Sequence, residues 1–483
     1  MRRVVLALSI AALAAAAPAA AFAPTDPLAA KQWHLVNDHA FDFWAEPPAT
    51  LAPVKVAIVD SGIDCSLPDF QGRIVDKKSF VGGDPCVDTE GHGTFIAGEI
   101  AGNLDGEGIV GIAYTAQLLI AKVVKVDGSI PHEAEAAAIR WAADSGARVI
   151  NLSLGGVRDP GHPNRDTYSA AEASAVAYAY AKGALLVAAV GNGDEAFTQP
   201  WPYASYPAAL PHVIGVSALT RTGNVPDYSN RDPVFNDLSA PGSGIFSTLP
   251  LAMTSPRPLC VDQGFSDCGP DEYRNPQGTS FAAPQVTAAA AVLFATAPSL
   301  TNSQATMLLE HSADDVNAAT GCARCSLLRD SLSGWGRLDV AKALAALAGP
   351  LPTPDRFETN DDAGTQAFTL WGKQRKLTAT VDYYDDPVDV YRIVLTGRER
   401  LTAKLAGGWA GANVSLVLWR PRTRRIDASA RTLRAAQAIA PGSRQHLAFT
   451  APGRGWYYLE VKVSSPGFGP YTLTLDKISP KQG

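Results

Sequence analysis

The chain has 483 residues, of which 46% are hydrophobic and 18% are charged, and its formal net charge is −6. This length exceeds that of one typical domain, and the composition indicates a globular protein and excludes long disorder. Because the net charge is negative and no basic stripe is present, we expect no nucleic-acid partner.

The N-terminal segment, residues 1–23, is typical of a secretory signal peptide. Two arginines precede an apolar, alanine-rich run that ends in Ala21-Phe22-Ala23, an A-x-A-like cleavage site. Pro18 interrupts the run, which disfavours the alternative of a membrane anchor. We therefore expect a secreted, extracellular protein with no membrane contact after cleavage.

The six cysteines occur as near neighbours in the sequence. They are Cys65 with Cys86, Cys260 with Cys268, and Cys322 with Cys325. Export places them in an oxidising compartment, and we expect local disulfides because each pair closes a loop, although six cysteines allow 15 pairings. Zinc or redox chemistry at the last pair is the alternative, but neither a second CxxC nor a suitable His pair accompanies it.

From Val54 the chain alternates apolar runs with longer helical patterns. The runs predicted as buried strands are 54–60, 117–126, 147–156, 184–192 and 212–219. The predicted helices between them are 92–102, 131–146 and 168–183. This alternation predicts an α/β fold, a parallel sheet with helices on both faces, in which ligands bind at the carboxyl ends of the strands.

The pattern changes after residue 348. Three prolines in residues 348–355 predict a stiff linker at 349–355, which separates a large domain at 24–348 from a smaller one at 356–483. Short alternating runs in the second region predict a small antiparallel β-sandwich.

Three polar residues lie at the ends of predicted elements. Asp60 ends the first strand, His92 begins a helix, and Ser280, in QGTSFAAP, begins the last long helix. The positive end of a helix dipole keeps a histidine neutral and able to act as a base. Taken singly, the three could equally be a turn former, a structural histidine and a helix N-cap.

The sequences around these residues settle the interpretation together. DSGID, GHGTFIAGEIAG and GTSFAAPQV, in this order, resemble the motifs of the subtilisin-like serine proteases, and the similarity extends over roughly residues 26–346. The resemblance implies a secreted serine endopeptidase in which Ser280 attacks a peptide carbonyl, His92 accepts its proton and Asp60 orients the imidazole. It also implies that Asn192 is an oxyanion-hole donor, whereas G-N-G alone could be a left-handed turn.

The same resemblance implies a binding site for polypeptide substrates. An extended substrate would pair with residues 151–156, with residues 125–129 as the opposite rim. The implied substrate-binding residues are Gly128, Ser153, Leu154, Gly155, Gly156 and Ser205. Because no acidic residue adjoins Ser205 at the pocket floor, we expect an apolar or broad preference. Tyr206-Pro207 matches a cis peptide bond of the family.

A structural calcium ion is the implied cofactor, and no organic cofactor is expected. Asp26, Asp69 and Asp105 would supply hard oxygen ligands, with Gln32 a weaker candidate, although all three carboxylates could instead lie in surface turns.

The C-terminal region resembles a bacterial pre-peptidase C-terminal-type domain. Its Asp355, Glu358 and Asp389 could hold a metal, but a solvated acidic turn is favoured.

One alternative to the enzyme is a catalytically silent subtilisin-like binding protein that acts through its C-terminal sandwich. A metalloprotease is disfavoured because HEAEA at 132–136 has an alanine where a second histidine is needed. We expect a monomer.

Overall fold

The computed structural model describes residues 22–46, 51–193, 196–351, 355–358, 360–383, 386–409, 411–424, 426, 431–465 and 467–479. The predicted signal peptide lies outside the described residues except for Phe22 and Ala23, and so does the middle of the predicted linker, residues 352–354.

A seven-stranded sheet organises the larger region. In chain order its strands are β1 (Lys55–Asp60), β2 (Ile74–Ser79), β3 (Gln117–Lys122), β4 (Val149–Leu152), β5 (Leu185–Ala189), β6 (Val213–Leu219) and β7 (Leu238–Pro241). Their spatial order is β2-β3-β1-β4-β5-β6-β7, and every neighbouring pair is parallel. The predicted parallel α/β fold is confirmed.

Helices cover both faces of this sheet. They are α1 (Trp33–Asn37), α2 (His92–Ala101), α3 (His132–Asp144), α4 (Ala170–Ala181), α5 (Asp271–Arg274), α6 (Ala283–Thr296), α7 (Asn302–Ser312) and α8 (Val340–Ala346). Strand β1 shows why two cores form: Val56 and Ile58 pack with α2 and α6, whereas Ala57 and Val59 pack with α3 and α4.

Two strands of the sheet were not predicted from the sequence. Strand β2 is an edge strand whose side chains are largely exposed and charged, so it lacks the apolar run of a buried strand. Strand β7 has only four residues and ends in a proline. Both rely on pairing with neighbours that are distant in sequence.

From the sequence we expect no segment after the signal peptide to be long and apolar enough to span a bilayer, but among the described residues one helical segment, Thr279–Thr296, is so by length and composition. It is a core helix of this fold, because 89% of that segment is buried inside the protein.

The C-terminal region forms two sheets that pack as a β-sandwich. Its strands are β8 (Phe368–Leu370), β9 (Gln374–Asp382), β10 (Val388–Leu395), β11 (Arg400–Gly407), β12 (Val414–Trp419), β13 (Arg434–Ala438), β14 (Arg444–Thr450), β15 (Gly455–Val463) and β16 (Phe468–Ile478). The sheet orders are β13-β12-β15-β10-β8 and β14-β11-β16-β9. Pairing is antiparallel as predicted, except that β8 and β10 are parallel.

All six cysteines form the predicted local disulfides. The pairs are Cys65–Cys86, Cys260–Cys268 and Cys322–Cys325. The first closes a loop between β1 and α2, and in the loop-entropy model a loop of this size is worth about 3 kcal/mol of stability.

Candidate active site

Asp60 ends strand β1 at the carboxyl edge of the sheet and is 2% exposed. The backbone N–H of Ser61 donates to Asp60 Oδ1 at 2.7 Å. His92 Nδ1 lies 2.9 Å from Asp60 Oδ1 and 3.0 Å from Oδ2. The carboxylate therefore holds one ring nitrogen of His92, Nδ1.

The start of helix α2 is built to bring His92 against β1. Gly91, the N-cap, has a left-handed φ of 79°, and a Cβ on Gly93 would lie 2.1 Å from the carbonyl oxygen of Gly62. A side chain at position 93 would thus push the helix away from the segment that carries Asp60.

Asp88 fixes the same helix start, and the sequence analysis missed it. Its Oδ1 accepts hydrogen bonds from Ser61 Oγ at 2.8 Å and from the backbone N–H of Glu90 and Gly91 at 3.2 and 2.9 Å. Its Oδ2 accepts from the N–H and hydroxyl of Thr94 at 2.9 and 2.6 Å. A signal was available, since an Asp shortly before a helix is a typical capping residue.

Ser280 lies in the 3-10 turn Thr279–Phe281, just before α6. The sequence analysis placed it at the first residue of the long helix, but α6 begins at Ala283, with Pro284 in its first turn.

A chain of side chains fixes this turn. Ser153 Oγ donates to the carbonyl of Ser280 at 2.8 Å, Asn151 Nδ2 donates to Ser153 Oγ at 2.9 Å, and Thr287 Oγ1 donates to Asn151 Oδ1 at 2.9 Å. Ser153, predicted to bind substrate, therefore also holds the backbone of Ser280.

Asn192 follows strand β5 and is tied to the residue before Ser280. The N–H of Thr279 donates to Asn192 Oδ1 at 3.0 Å, and the Thr279 hydroxyl donates to the same oxygen at 3.2 Å. With its carbonyl engaged, Asn192 has its Nδ2 group left as a donor. Thr279 is a second residue that the sequence analysis did not identify.

These residues meet in one cleft of about 400 Å³. Its lining includes Asp60, His92, Asn192 and Ser280, and also Gly128, Ser153, Leu154, Gly155 and Ser205 from the predicted substrate site. Val124, Ile130 and Ala189 add apolar surface, and Tyr273 reaches the cleft from the cysteine-rich segment before Ser280.

Gly156 is the exception among the predicted substrate residues. It is absent from the cleft lining and pairs with Tyr206, each backbone N–H donating to the other's carbonyl at 2.9 Å. The predicted cis peptide bond at Tyr206-Pro207 is present beside this bridge. Ser205 is buried and accepts a hydrogen bond from Asn230 Nδ2 at 3.2 Å, so a neutral amide adjoins it.

The residues predicted to bind calcium lie near one another and away from the cleft, although their carboxylate oxygens do not all lie within 4.8 Å of each other. Asp26 is buried, and its Oδ1 accepts from the N–H of Asp105 and Gly106 at 3.1 Å each, while its Oδ2 is buried without a hydrogen-bond partner. Burial raises the pKa of Asp69 to about 7, with added repulsion from Asp105 and Asp26, although Gln263 donates to Asp69.

The remaining two candidates differ from this buried pair. Asp105 is exposed, as expected of a surface turn, and Gln32 bonds the backbone of Val110 in both directions at 2.8 and 3.0 Å. A buried orphan oxygen beside a carboxylate with a raised pKa fits a hard cation, so the residues present suit calcium.

Among the acidic residues of the C-terminal region that were expected to form a solvated turn, Asp389 lies elsewhere. Asp389 is fully buried and accepts from the hydroxyl of Tyr471 at 2.5 Å, and burial raises the pKa of Asp389 well above its ordinary value. Burial likewise raises the pKa of Glu358 to about 7. The favoured interpretation was wrong here because Asp389 belongs to strand β10, inside the sandwich.

Comparison with known proteins identifies the class. The chain is 34% identical over 347 residues to the cell wall-associated protease of Bacillus subtilis (strain 168), which covers 65% of this chain, and 34% identical over 265 residues to thermitase of Thermoactinomyces vulgaris, which covers 54% of it. The solved structure of sphericase superposes with a TM-score of 0.50 at 31% identity over 62% of this chain and 97% of sphericase. The first of these relatives is named as a protease, and it is to proteins of that class that this chain is similar.

The family can be stated more narrowly. The sequence profile of the subtilase family matches residues 52–336, and the chain therefore belongs to the subtilase family. The alignment with thermitase covers 82% of thermitase. The alignment with the cell wall-associated protease covers only 35% of that protein, so this chain spans about a third of that relative's length.

Proposed function

We propose that this protein is a secreted serine endopeptidase that hydrolyses peptide bonds with Asp60, His92 and Ser280. The observation that carries the proposal is the contact of Asp60 with His92 Nδ1 at 2.9 and 3.0 Å, in a cleft that Ser280 also lines. Membership in the subtilase family supports the same assignment.

In this mechanism each residue has one role. A serine hydroxyl is a weak nucleophile until a neutral imidazole accepts its proton, which is the role of His92 toward Ser280. Asp60 accepts the Nδ1 proton, keeps the ring in the tautomer whose Nε2 is basic, and stabilises the imidazolium that forms. His92 then delivers the proton to the leaving amine.

The oxyanion of the tetrahedral intermediate would be stabilised by two donors. Asn192 Nδ2 is one, since Thr279 already occupies the carbonyl of that side chain. The backbone N–H of Ser280, at the positive end of α6, is the other.

Substrates would be extended polypeptides with an apolar or broadly tolerated residue before the scissile bond. Leu154, Val124 and Ile130 line the cleft, and the side chain that hydrogen-bonds to Ser205 is the neutral amide of Asn230. We further propose that the predicted division into residues 24–348 and 356–483 holds, with action outside the cell as a monomer.

Calcium would be held by Asp26, Asp69 and Asp105 together with backbone carbonyls. When bound, the ion would supply charge neutralisation for two buried carboxylates. In this way it would stabilise the packing of the N-terminal segment against the loop that contains Gly106.

A serine-directed organophosphonate probe tests the activity. Calcium-loaded wild type and Ser326→Ala, an exposed serine far from the proposed site in the chain, should be labelled on one residue. Ser280→Ala should not be labelled. Cleavage of a peptide library, with the products sequenced, then gives the preference.

The opposite outcome is equally clear. Failure of the folded, calcium-loaded wild type to react would favour the catalytically silent binding protein. Equal labelling of Ser280→Ala and wild type would remove Ser280 from the mechanism.

A further inference from the structure

A separate cluster of metal-binding residue types lies between α3 and α4. His132 and Glu135 lie in the first turns of α3, and Glu172 lies in the first turn of α4. Each can offer one ligand atom, and the three atoms lie within 4.8 Å of one another. The spacing of three residues between His132 and Glu135 puts both on one face of the helix.

Burial makes this cluster unusual. Glu135 is 3% exposed and Glu172 is 2% exposed, and burial raises the pKa of both carboxyls. The neighbouring Glu172 raises the pKa of Glu135 further, and Glu135 Oε1 is buried without a hydrogen-bond partner. Two carboxyl groups brought together away from water require either a shared proton or a cation.

The arginine of α3 does not contact the pair of glutamates in any hydrogen bond or ion pair of the described residues. Arg140 Nη2 donates to Ser174 Oγ at 2.8 Å, and its guanidinium lies 5.0 Å from the ring centre of Tyr178. The neighbouring His132 lowers the pKa of Glu172. As a neutral imidazole, His132 would be a metal ligand.

We propose that His132, Glu135 and Glu172 bind a divalent transition-metal ion of the Zn²⁺ type. One imidazole nitrogen with two carboxylates suits zinc, whereas calcium and magnesium prefer oxygen ligands alone. His132 is exposed and provides the entry path, while the two glutamates are already gathered in the interior.

This site is distinct from the cleft, from the predicted calcium site and from the acidic residues of the C-terminal region. Its residues are absent from the lining of the cleft as far as the described chain shows, and they belong to the opposite face of the sheet from α2 and α6. The ion would join α3 to α4. Because α3 begins two residues after Ile130, which lines the cleft, the ion would also stabilise that rim.

The test measures zinc binding by calcium-saturated, full-length protein, by titration calorimetry and by metal analysis after gel filtration. The wild type and Glu133→Gln, an exposed acid in the same helical turn, should bind one more zinc equivalent than Glu135→Gln or Glu172→Gln. Loss of either ligand should weaken binding by roughly tenfold or more. Zinc should raise the melting temperature of the wild type and of the control more than that of the ligand variants.

Proton release provides a second measurement. If Glu135 and Glu172 share a proton in the metal-free protein, zinc must displace it, so the wild type should release one more proton per zinc than Glu135→Gln in weak buffer. Glu135→Gln should fold, since an amide removes one acid from the pair. Circular dichroism without zinc checks this.

Two results would overturn the proposal. The first is the same zinc stoichiometry and melting shift in wild type, Glu135→Gln and Glu172→Gln. The second is a preference for Lys or Arg in peptide substrates that persists in the presence of chelator and disappears in both glutamine variants. In that case the two glutamates would bind a basic side chain of the substrate and not a metal ion.

Discussion

Two of the places in which the α/β region buries carboxylates differ in their surroundings. At the start of α2, Asp60 and Asp88 have both of their oxygens engaged by N–H, O–H or imidazole donors of the chain itself. At the predicted calcium site, one carboxylate oxygen of Asp26 is buried without a hydrogen-bond partner, and burial raises the pKa of Asp69 to about 7.

The difference separates geometry fixed by the fold from geometry that depends on an ion. A carboxylate that accepts several fixed donors stays charged and holds its neighbours in place at neutral pH. A carboxylate with an orphan oxygen is stable only when protonated or when a cation is bound. Substitutions at the start of α2 should therefore affect catalysis. Calcium concentration and pH should instead affect the stability conferred by the carboxylates near the N-terminus.

The largest effect is expected from Asp60→Asn. An amide cannot accept the Nδ1 proton of His92 in the same way, so the ring adopts the wrong tautomer and kcat should fall by about 10⁴. Peptide hydrolysis at neutral pH measures this, with the melting temperature as the folding check. The exposed Asp76→Asn is the control, and an unchanged rate for Asp60→Asn would remove Asp60 from the mechanism.

The next effect is expected from Asn192→Ala. Loss of one oxyanion donor should lower kcat by about 10²–10³ and leave KM almost unchanged, because the hydrogen bond forms in the transition state. Steady-state kinetics separates the two constants. A rise in KM at constant kcat would instead make Asn192 a ground-state binding residue.

Asp88→Asn should mainly affect stability. The NH₂ group of the new asparagine would face N–H or O–H donors that now bond to a carboxylate oxygen. Losing one hydrogen bond to a charged group in this way costs about 2 kcal/mol of stability. Urea denaturation measures the loss in the free energy of unfolding. If stability falls but the kcat of the folded variant does not, Asp88 contributes only to folding. The link between a fully hydrogen-bonded carboxylate and catalysis would then hold for Asp60 alone.

The smallest and most conditional effect concerns calcium and pH. The pKa of Asp69 rises from 3.8 to about 7 on folding, so the calcium-free folded state holds an extra proton between these values and loses stability as pH rises through them. Calcium, which binds the deprotonated form, should therefore stabilise more at about pH 8 than at about pH 5.

Melting temperatures with and without chelator at both pH values check this expectation. At 100 times its dissociation constant, the ion adds about 2.7 kcal/mol of stability. Asp69→Asn, which does not titrate, should show little dependence on pH. An equal calcium effect at both pH values, or none, would contradict the proposed role of Asp69.

Much of this fold could be predicted because its central strands carry continuous apolar runs. Strand β1 and helices α2, α3 and α4 follow directly from local pattern. Strand β2 could not be predicted, since its charged residues pair only with β3 at the edge of the sheet. Strand β11 alternates buried apolar residues with polar ones, the local pattern of a half-buried strand, and its partners are β14 and β16.

The candidate site shows the same division. Asp60, His92 and Ser280 are carried by local motifs with recognisable glycines, and the sequence suffices to find them. Asp88 and Thr279 act by orienting those residues, through contacts visible only in three dimensions. The acid pair at Glu135 and Glu172 joins residues 37 positions apart, and neither lies in a motif that pointed to the other.

The double hydrogen bond from Thr279 to Asn192 has a consequence for engineering. It couples the chain segment before the proposed nucleophile to the proposed oxyanion donor, so the two cannot be tuned independently. Substitutions at 279 and 192 should be non-additive, whereas changes at the outer rim near Gly128 should combine freely with either. Directed evolution of selectivity would therefore advance faster from the rim than from the turn.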